Sequence, residues 1–148
     1  MRIALDTNLL VYAEGVNGAQ KASLAVELIK KLDGSTIFLP VQVLGELFRV
    51  LVGKFRVTPK QVSAIVLRWQ NTFPLIEISQ PVLLSAIDLA VKHDLNIWDA
   101  IILAAAAEAH CVLFLSEDLQ DGFTWSGVTV ANPFAEKKNA LLTRALES

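Results

Sequence analysis

The sequence predicts an α/β fold, a three-layer αβα sandwich built on a mainly parallel sheet of about five strands. Short apolar segments that are typical of strands alternate with longer segments in which apolar residues recur at helical spacing. The strand-like segments are apolar on both faces, as expected for parallel strands that helices cover on both sides. The resulting order, βαβααβααββ, is typical of a doubly wound sheet.

The predicted strands are short apolar segments that end at polar or strand-breaking residues. The first ends at Asp6 and the second at Pro40, whose ring removes the backbone donor that would continue a strand. The polar segment Asp33-Gly34-Ser35 predicts a turn before the second strand. The strands cover residues 2–5, 36–39, 75–78, 112–115 and 128–131.

Helices are predicted in every connection except the last, and several have clear start signals. Asp6 can cap the first helix, and Asn96 can cap the sixth. Thr58 and Pro59 together form a start signal for the fourth. The helices cover residues 9–13, 19–32, 41–52, 59–71, 80–93 and 97–109, followed by an amphipathic helix over residues 136–146.

The 148 residues are enough for one domain with a substantial core. We assign residues 1–134 to that domain and residues 135–148 to a C-terminal tail that is expected to be helical. Because 53% of the residues are hydrophobic and the mean hydropathy is +0.48, disorder is not expected. Another chain is expected to cover part of this apolar surface.

A cytoplasmic location is expected from the distribution of apolar residues and cysteine. The most apolar stretch, residues 100–109, is too short to span a membrane, and Asp6 interrupts any apolar core of a signal peptide. Cys111 is the single cysteine, which excludes an internal disulfide and a cysteine-based metal site. The formal net charge of −2 does not exclude a polyanionic substrate, because bound divalent cations would offset it.

Four carboxylates lie where an open α/β sheet could bring them together: Asp6, Glu46, Asp99 and Asp118. Asp6 and Asp118 follow predicted strands, and ligands of such sheets bind beyond the carboxyl ends of the strands. Glu46 and Asp99 lie within or at the start of apolar helices, where a carboxylate is costly unless its charge is compensated. A site for a hard divalent cation would provide that compensation.

Each acid also has a simpler explanation. Asp6 could cap the helix that follows, and Asp99 could be an acid favoured by the dipole of its helix. Glu46 could pair with Arg49, although its helix is apolar almost all round. Asp118 lies in an acidic segment typical of turns. No single position decides between these explanations and a metal site.

Taken together, the acids and their neighbours resemble the motifs of PIN-domain nucleases in order and spacing. The resemblance extends to Asn132-Pro133-Phe134, and the short domain is most similar to VapC-type toxins of bacterial toxin–antitoxin pairs. Ser116 stands where the family often has Thr, so the hydroxyl is retained. The motifs are Leu5-Asp6-Thr7-Asn8, Val43-Leu44-Gly45-Glu46-Leu47, Asn96-Ile97-Trp98-Asp99-Ala100 and Leu115-Ser116-Glu117-Asp118.

The resemblance implies a metal-dependent ribonuclease, an endoribonuclease that uses Mg²⁺ or Mn²⁺. Asp6, Asp99 and Asp118 would bind the metal directly, and Glu46 would bind it directly or through water. A second group would support these ligands or contact the scissile phosphate: Thr7, Asn8, Ser116 and Asp121. Asp121 is also an alternative to Asp118 as the acid closer to the metal. The resemblance further implies a cognate antitoxin that occludes the acidic groove, and a homodimer.

An RNA substrate would also need contacts outside the acids. The densest basic stretch comprises Arg49, Lys54, Arg56 and Lys60, which could contact phosphates or could be a solvated helix end and loop. Three tryptophans could stack on bases. Packing in the core or at an interface is the preferred explanation for Trp69 and Trp98, whereas Trp125 stays open.

A second hypothesis comes from a different class: a catalytically inactive PIN-fold module with an interaction or regulatory role. The high hydropathy and the C-terminal tail motivate it. A haloacid-dehalogenase-type phosphatase is disfavoured, because it would need a second Asp where Asn8 stands. A receiver domain is disfavoured because Ile78-Ser79 ends the third strand without a phosphoacceptor Asp.

Overall fold

The computed structural model describes residues 1–33 and 35–148, and it confirms an α/β fold with a mainly parallel sheet. Gly34, the centre of the predicted turn, lies outside the described residues. The strand order is β3-β2-β1-β4-β6-β5, in which β5 alone runs antiparallel to its neighbour. The strands are β1 Arg2–Leu5, β2 Thr36–Pro40, β3 Leu75–Ile76, β4 Leu113–Leu115, β5 Thr124–Trp125 and β6 Val128–Ala131.

The sheet has one strand more than predicted because a two-residue strand was not recognised in the sequence. β5 pairs with β6 through a turn at Ser126 and Gly127, whose φ angles are 49° and 85°. Two successive residues with positive φ are typical of the tight turns that match the twist of a hairpin. A strand of two residues is too short to show hydrophobic alternation in the sequence. The residues of this turn are therefore the local signal for β5.

In the part of the chain that the structure describes, seven helices occupy the connections and the tail, close to their predicted bounds. The first begins two residues earlier than predicted, because the Asp6 side chain accepts a hydrogen bond from the Thr7 N–H and caps it. The last begins later, capped by Asn139. The helices are α1 Thr7–Ala13, α2 Ala19–Lys31, α3 Val41–Gly53, α4 Pro59–Thr72, α5 Gln80–His93, α6 Ile97–Glu108 and α7 Ala140–Glu147.

The strand order reverses between β1 and β4, which pair in parallel at the centre of the sheet. Leu5 lies opposite Leu115, and the Asp6 N–H donates to the Leu115 carbonyl at 3.0 Å. The residues that follow the two strands, Asp6 and Ser116, are therefore neighbours. Strands β1 and β4 thus meet at the switch point, where ligands of such sheets bind.

The core covers both faces of the central strands. All of Ile3–Leu5 and Leu113–Leu115 is buried, as is the run 100–106 of the Ala-rich helix α6. Trp69 is buried as predicted, and its indole N–H donates to Glu14 Oε2 at 2.8 Å. Trp98 is 60% exposed, so the prediction of core packing is wrong for it, and packing at an interface stays a prediction. Within the described residues, no helix combines the length and apolar character that crossing a membrane requires.

Candidate active site

A cleft of about 580 Å³ opens at the carboxyl ends of the central strands, and all four predicted acids line it. Each acid comes from a different part of the fold. Asp6 follows β1, Glu46 lies on α3, Asp99 lies in the first turn of α6, and Asp118 follows β4. The remaining lining residues are Thr7, Asn8, Gln42, Gly45, Arg49, Val50, Asn96 and Trp98.

Asp6 lies at the base of the cleft and is only 6% exposed. Its Oδ1 accepts a hydrogen bond from the Thr7 N–H and its Oδ2 accepts one from the Ser116 hydroxyl, each at 2.7 Å. Burial raises the pKa of Asp6 from 3.8 to about 6, although these two hydrogen bonds oppose the change. Asp118 and Asp99 raise this pKa further by charge repulsion. The metal-free site therefore resists ionisation of Asp6.

Ser116 organises the floor of the cleft, and it is 1% exposed. While its hydroxyl donates to Asp6, its oxygen accepts from the N–H groups of Asp118 and Leu119 at 3.2 and 3.4 Å. One side chain therefore fixes the carboxylate at the end of β1 and the backbone of the turn after β4.

Glu46 is held by hydrogen bonds at both carboxylate oxygens. Thr7 donates its hydroxyl to Oε2 at 2.5 Å, and Gln42 donates from Nε2 to Oε1 at 3.0 Å. Gln42 also donates to the backbone carbonyl of Trp98 at 3.0 Å, which ties α3 to the start of α6. Gln42 was not predicted as a site residue. Its position one helical turn before Glu46 was the available signal, because residues four apart share a helix face.

Asp99 and Asp118 complete the acidic group, and the pKa of each is raised. For Asp99 the main cause is burial, followed by repulsion from Asp118 and Glu46. For Asp118 the main cause is again burial, followed by repulsion from Glu117 and then Glu46, while a hydrogen bond from Asn8 at 2.9 Å opposes the change. The four carboxylates thus repel one another across a shared space.

The donor set fits a divalent cation. Within residues 1–33 and 35–148, none of the four acids forms an ion pair with a basic side chain, so their charges lack a protein counter-ion. Carboxylate oxygens are the ligands that Mg²⁺ and Mn²⁺ prefer. In the same described part of the chain, no three acidic, His or Cys side chains stand together at ligand spacing.

Asp121 and most of the predicted basic stretch lie outside this cleft. Asp121 is exposed and accepts from the Asn132 N–H at 3.0 Å, whereas Asp118 lines the cleft. Of the four predicted RNA-binding residues only Arg49 lines it. Lys54 and Arg56 lie in the exposed segment that follows α3, and Lys60 lies exposed in the first turn of α4.

Comparison with known proteins gives one family and several similar folds. The family model described as PIN domain matches residues 3–121. A toxin–antitoxin complex from Klebsiella pneumoniae has a TM-score of 0.65 at 23% identity, covering 89% of this chain and 98% of that chain. VapBC2 from Rickettsia felis, bound to a promoter DNA fragment, has a TM-score of 0.66 at 16% identity, covering 88% and 97%.

Mycobacterium tuberculosis VapC20, a toxin that cleaves the sarcin–ricin loop, has a TM-score of 0.63 at 16% identity, covering 76% of this chain and 86% of that chain. No curated protein sequence matches the chain. At these identities the solved structures establish the shared fold.

Proposed function

The chain belongs to the PIN domain family, and from this premise we propose that it is a metal-dependent endoribonuclease, the cytoplasmic toxin of a toxin–antitoxin pair. One observation carries the proposal: four carboxylates from four separate elements line a single cleft at the switch point of the sheet. The simpler explanations of the individual acids do not account for this convergence. Asp6 does cap α1, yet it also faces Asp99 and Asp118.

Asp6, Asp99 and Asp118 would hold Mg²⁺ or Mn²⁺, with Glu46 contributing directly or through water. When bound, the cation supplies neutralisation of the carboxylates, a more acidic attacking water and stabilisation of the leaving oxygen during displacement at phosphorus. Ser116 and the Thr7 N–H hold both oxygens of Asp6 in place. Arg49 is the basic side chain among the described lining residues, and it would contact a substrate phosphate.

RNA cleavage and metal binding separate this proposal from the second hypothesis. We expect the purified protein to cleave RNA with Mg²⁺ or Mn²⁺ and to lose that activity in a chelator. An inactive interaction module would show no Mn²⁺ binding in calorimetry at the Mn²⁺ concentrations used in the RNA cleavage assay. Calorimetry also guards against a contaminating nuclease, because it measures the protein itself.

Gln42 is expected to position Glu46, and the variant Gln42→Ala should weaken apparent Mn²⁺ affinity about tenfold, as losing a supporting hydrogen bond to a ligand typically does. Calorimetric titration of the folded variant measures this. The matched control is Gln70→Ala, an exposed glutamine on α4 outside the cleft. Equal Mn²⁺ affinities for wild type and Gln42→Ala would contradict the positioning role.

The proposed antitoxin follows from the kind of structures that share this fold, two of which contain toxin–antitoxin assemblies. An antitoxin that occludes the cleft would place basic or polar side chains of its own against Asp99 and Asp118. We expect added antitoxin to inhibit cleavage and to protect the cleft residues from hydrogen exchange. Inhibition without protection at the cleft would contradict occlusion.

A homodimer is part of the proposal, and the exposed face of α5 supports it. Leu84, Ile87 and Val91 lie at helical spacing and are 59%, 45% and 78% exposed, which is unusual for a row of large apolar side chains. A second copy of the chain would bury this row.

We therefore expect the double variant Leu84→Glu, Val91→Glu to be monomeric in sedimentation velocity under conditions where the wild type is dimeric. The matched control is Leu67→Glu on α4, which is 53% exposed and should leave the dimer intact. A wild type that stays monomeric at high concentration, or a double variant that stays dimeric, would refute the dimer through this face.

A further inference from the structure

Trp98 is the largest side chain on the cleft whose exposure the fold does not explain. Its indole is 60% exposed although it lies one residue before Asp99, at the start of α6. Within residues 1–33 and 35–148, no aromatic ring or basic side chain stacks on it, whereas Trp69 has both kinds of neighbour. Trp98 thus offers a free aromatic face to whatever enters the cleft.

The backbone of Trp98 is fixed on both sides, so the indole is presented from a rigid point. Its N–H donates to the Asn96 side chain at 2.9 Å, which caps α6. Its carbonyl accepts from Gln42 at 3.0 Å, which links it to the helix that carries Glu46. Holding a flat ring in place before binding lowers the entropy lost when a ligand stacks on it.

The surroundings of Trp98 favour a nucleotide over an apolar protein segment. It is the aromatic residue among the described lining residues. Apart from Gly45 and Val50, the other residues that line the cleft are polar or charged, among them Gln42 and Arg49. A docking surface for an apolar peptide would surround the ring with further apolar side chains, as the core of a protein interface does. A phosphate contact from Arg49 beside an aromatic platform is the combination that single-stranded nucleic-acid sites use.

We propose that Trp98 forms a base-stacking subsite for a nucleotide beside the cleaved phosphate and is a specificity-determining residue of the cleft. The inference rests on the proposed nuclease function, because it assigns a substrate contact in the same cleft. A paired base is already stacked within its helix and cannot lie flat on the indole, so duplex RNA would forgo this contact. Because any base has an aromatic face, the subsite distinguishes unpaired from paired nucleotides and does not distinguish one base from another.

Cleavage of a short RNA, single-stranded or annealed to its complement, tests the subsite. We expect Trp98→Ala to lower kcat/KM on the single strand about tenfold, which corresponds to about 1.4 kcal/mol of stacking. Trp98→Phe keeps a flat ring and should recover most of the rate. Trp125→Phe is the matched control, since Trp125 lies in β5 away from the cleft.

A substrate with an abasic nucleotide next to the cleaved phosphate identifies the contact itself. The wild type should lose about tenfold on this substrate, and Trp98→Ala should lose nothing further, because both changes remove one interaction. Unchanged kcat/KM for Trp98→Ala, or losses that multiply in the combination, would overturn the subsite while leaving the nuclease function intact. Unchanged cleavage with weakened binding of a protein partner would overturn it in favour of a protein contact.

If the wild type cleaves no RNA, the nuclease function is refuted. RNA binding then decides whether Trp98 forms a stacking subsite. The same RNA oligonucleotide should then quench tryptophan fluorescence in the wild type and in Trp125→Phe, but not in Trp98→Phe. Quenching that persists in Trp98→Phe, or no quenching in any form, overturns the stacking subsite.

Discussion

Asp6→Asn should abolish metal-dependent RNA cleavage, with a larger loss than the 10- to 100-fold that follows removal of a group supporting a metal ligand. The amide keeps the shape of the carboxylate. Its oxygen can accept from the Thr7 N–H and its nitrogen can donate to the Ser116 oxygen, so the fold should survive. What it loses is the negative charge at the centre of the acidic group. Cleavage and Mn²⁺ calorimetry on the same preparation measure the effect.

The same variant should make the metal-free protein more stable at neutral pH. The folded-state pKa of Asp6 is about 6 and its ordinary value is 3.8, so between these values the folded protein holds the extra proton. The Asp6 contribution to stability is therefore complete below the lower value and is lost as the pH rises through the upper one. The full shift corresponds to roughly 3 kcal/mol of lost stability at neutral pH. The Asp6→Asn variant does not lose this stability, because an amide does not ionise.

Thermal unfolding in a chelator from pH 4 to 8 tests this second effect. The stability gained by Asp6→Asn should grow with pH across the window and then level off. The matched control is Asp88→Asn, an exposed acid on α5 that pairs with Lys92 and should change neither cleavage nor stability appreciably. Cleavage retained by pure, folded Asp6→Asn, or a stability gain that shrinks with rising pH, would contradict the assigned role of Asp6.

Ser116→Ala should lower both metal affinity and stability, because the Ser116 hydroxyl serves Asp6 and the turn after β4 at once. Metal affinity should fall about 10- to 100-fold, the usual cost of removing a group that orients a ligand. The Asp6 carboxylate would lose a hydrogen-bond partner while buried, which costs about 1–3 kcal/mol. Calorimetry and chemical denaturation measure the two effects.

Ser116→Thr is the matched control, because it retains the hydroxyl and adds one methyl group. We expect its metal affinity to lie near that of the wild type, even if the added methyl costs some stability in this buried position. If Ser116→Ala bound Mn²⁺ as the wild type does, Ser116 would be a structural residue only. If Ser116→Thr were as impaired as Ser116→Ala, packing and not the hydroxyl would explain the loss.

The sequence allowed the fold class and the order of the acids to be predicted, because both depend on local patterns. The apolar segment before Asp6 and the one before Asp118 mark buried parallel strands, whose carboxyl ends converge whatever the detailed packing. The caps at Thr58 and Asn96 likewise depend on neighbours within three residues, and the structure contains both.

Properties that depend on side chains from distant elements could not be predicted in this way. The hydrogen bond of Gln42 to the carbonyl of Trp98 joins positions 56 residues apart, and no local pattern announces it. Trp98 is as apolar as Trp69, yet one is exposed and the other buried, since only the packing of α6 against its neighbours decides which face is covered. The roles of Lys54, Arg56 and Lys60 stay predictions.

The pairing of β1 with β4 also sets when the protein can become active during its synthesis. β1 is made long before its partner on one side, which begins at Leu113, and the hydrogen bond from Ser116 to Asp6 spans 110 positions. No shorter nascent chain can assemble the cleft, because the central strand has an open edge until β4 has left the ribosome. On the proposed function, RNA cleavage by a nascent chain cannot begin before β4 and Asp118 have been synthesised.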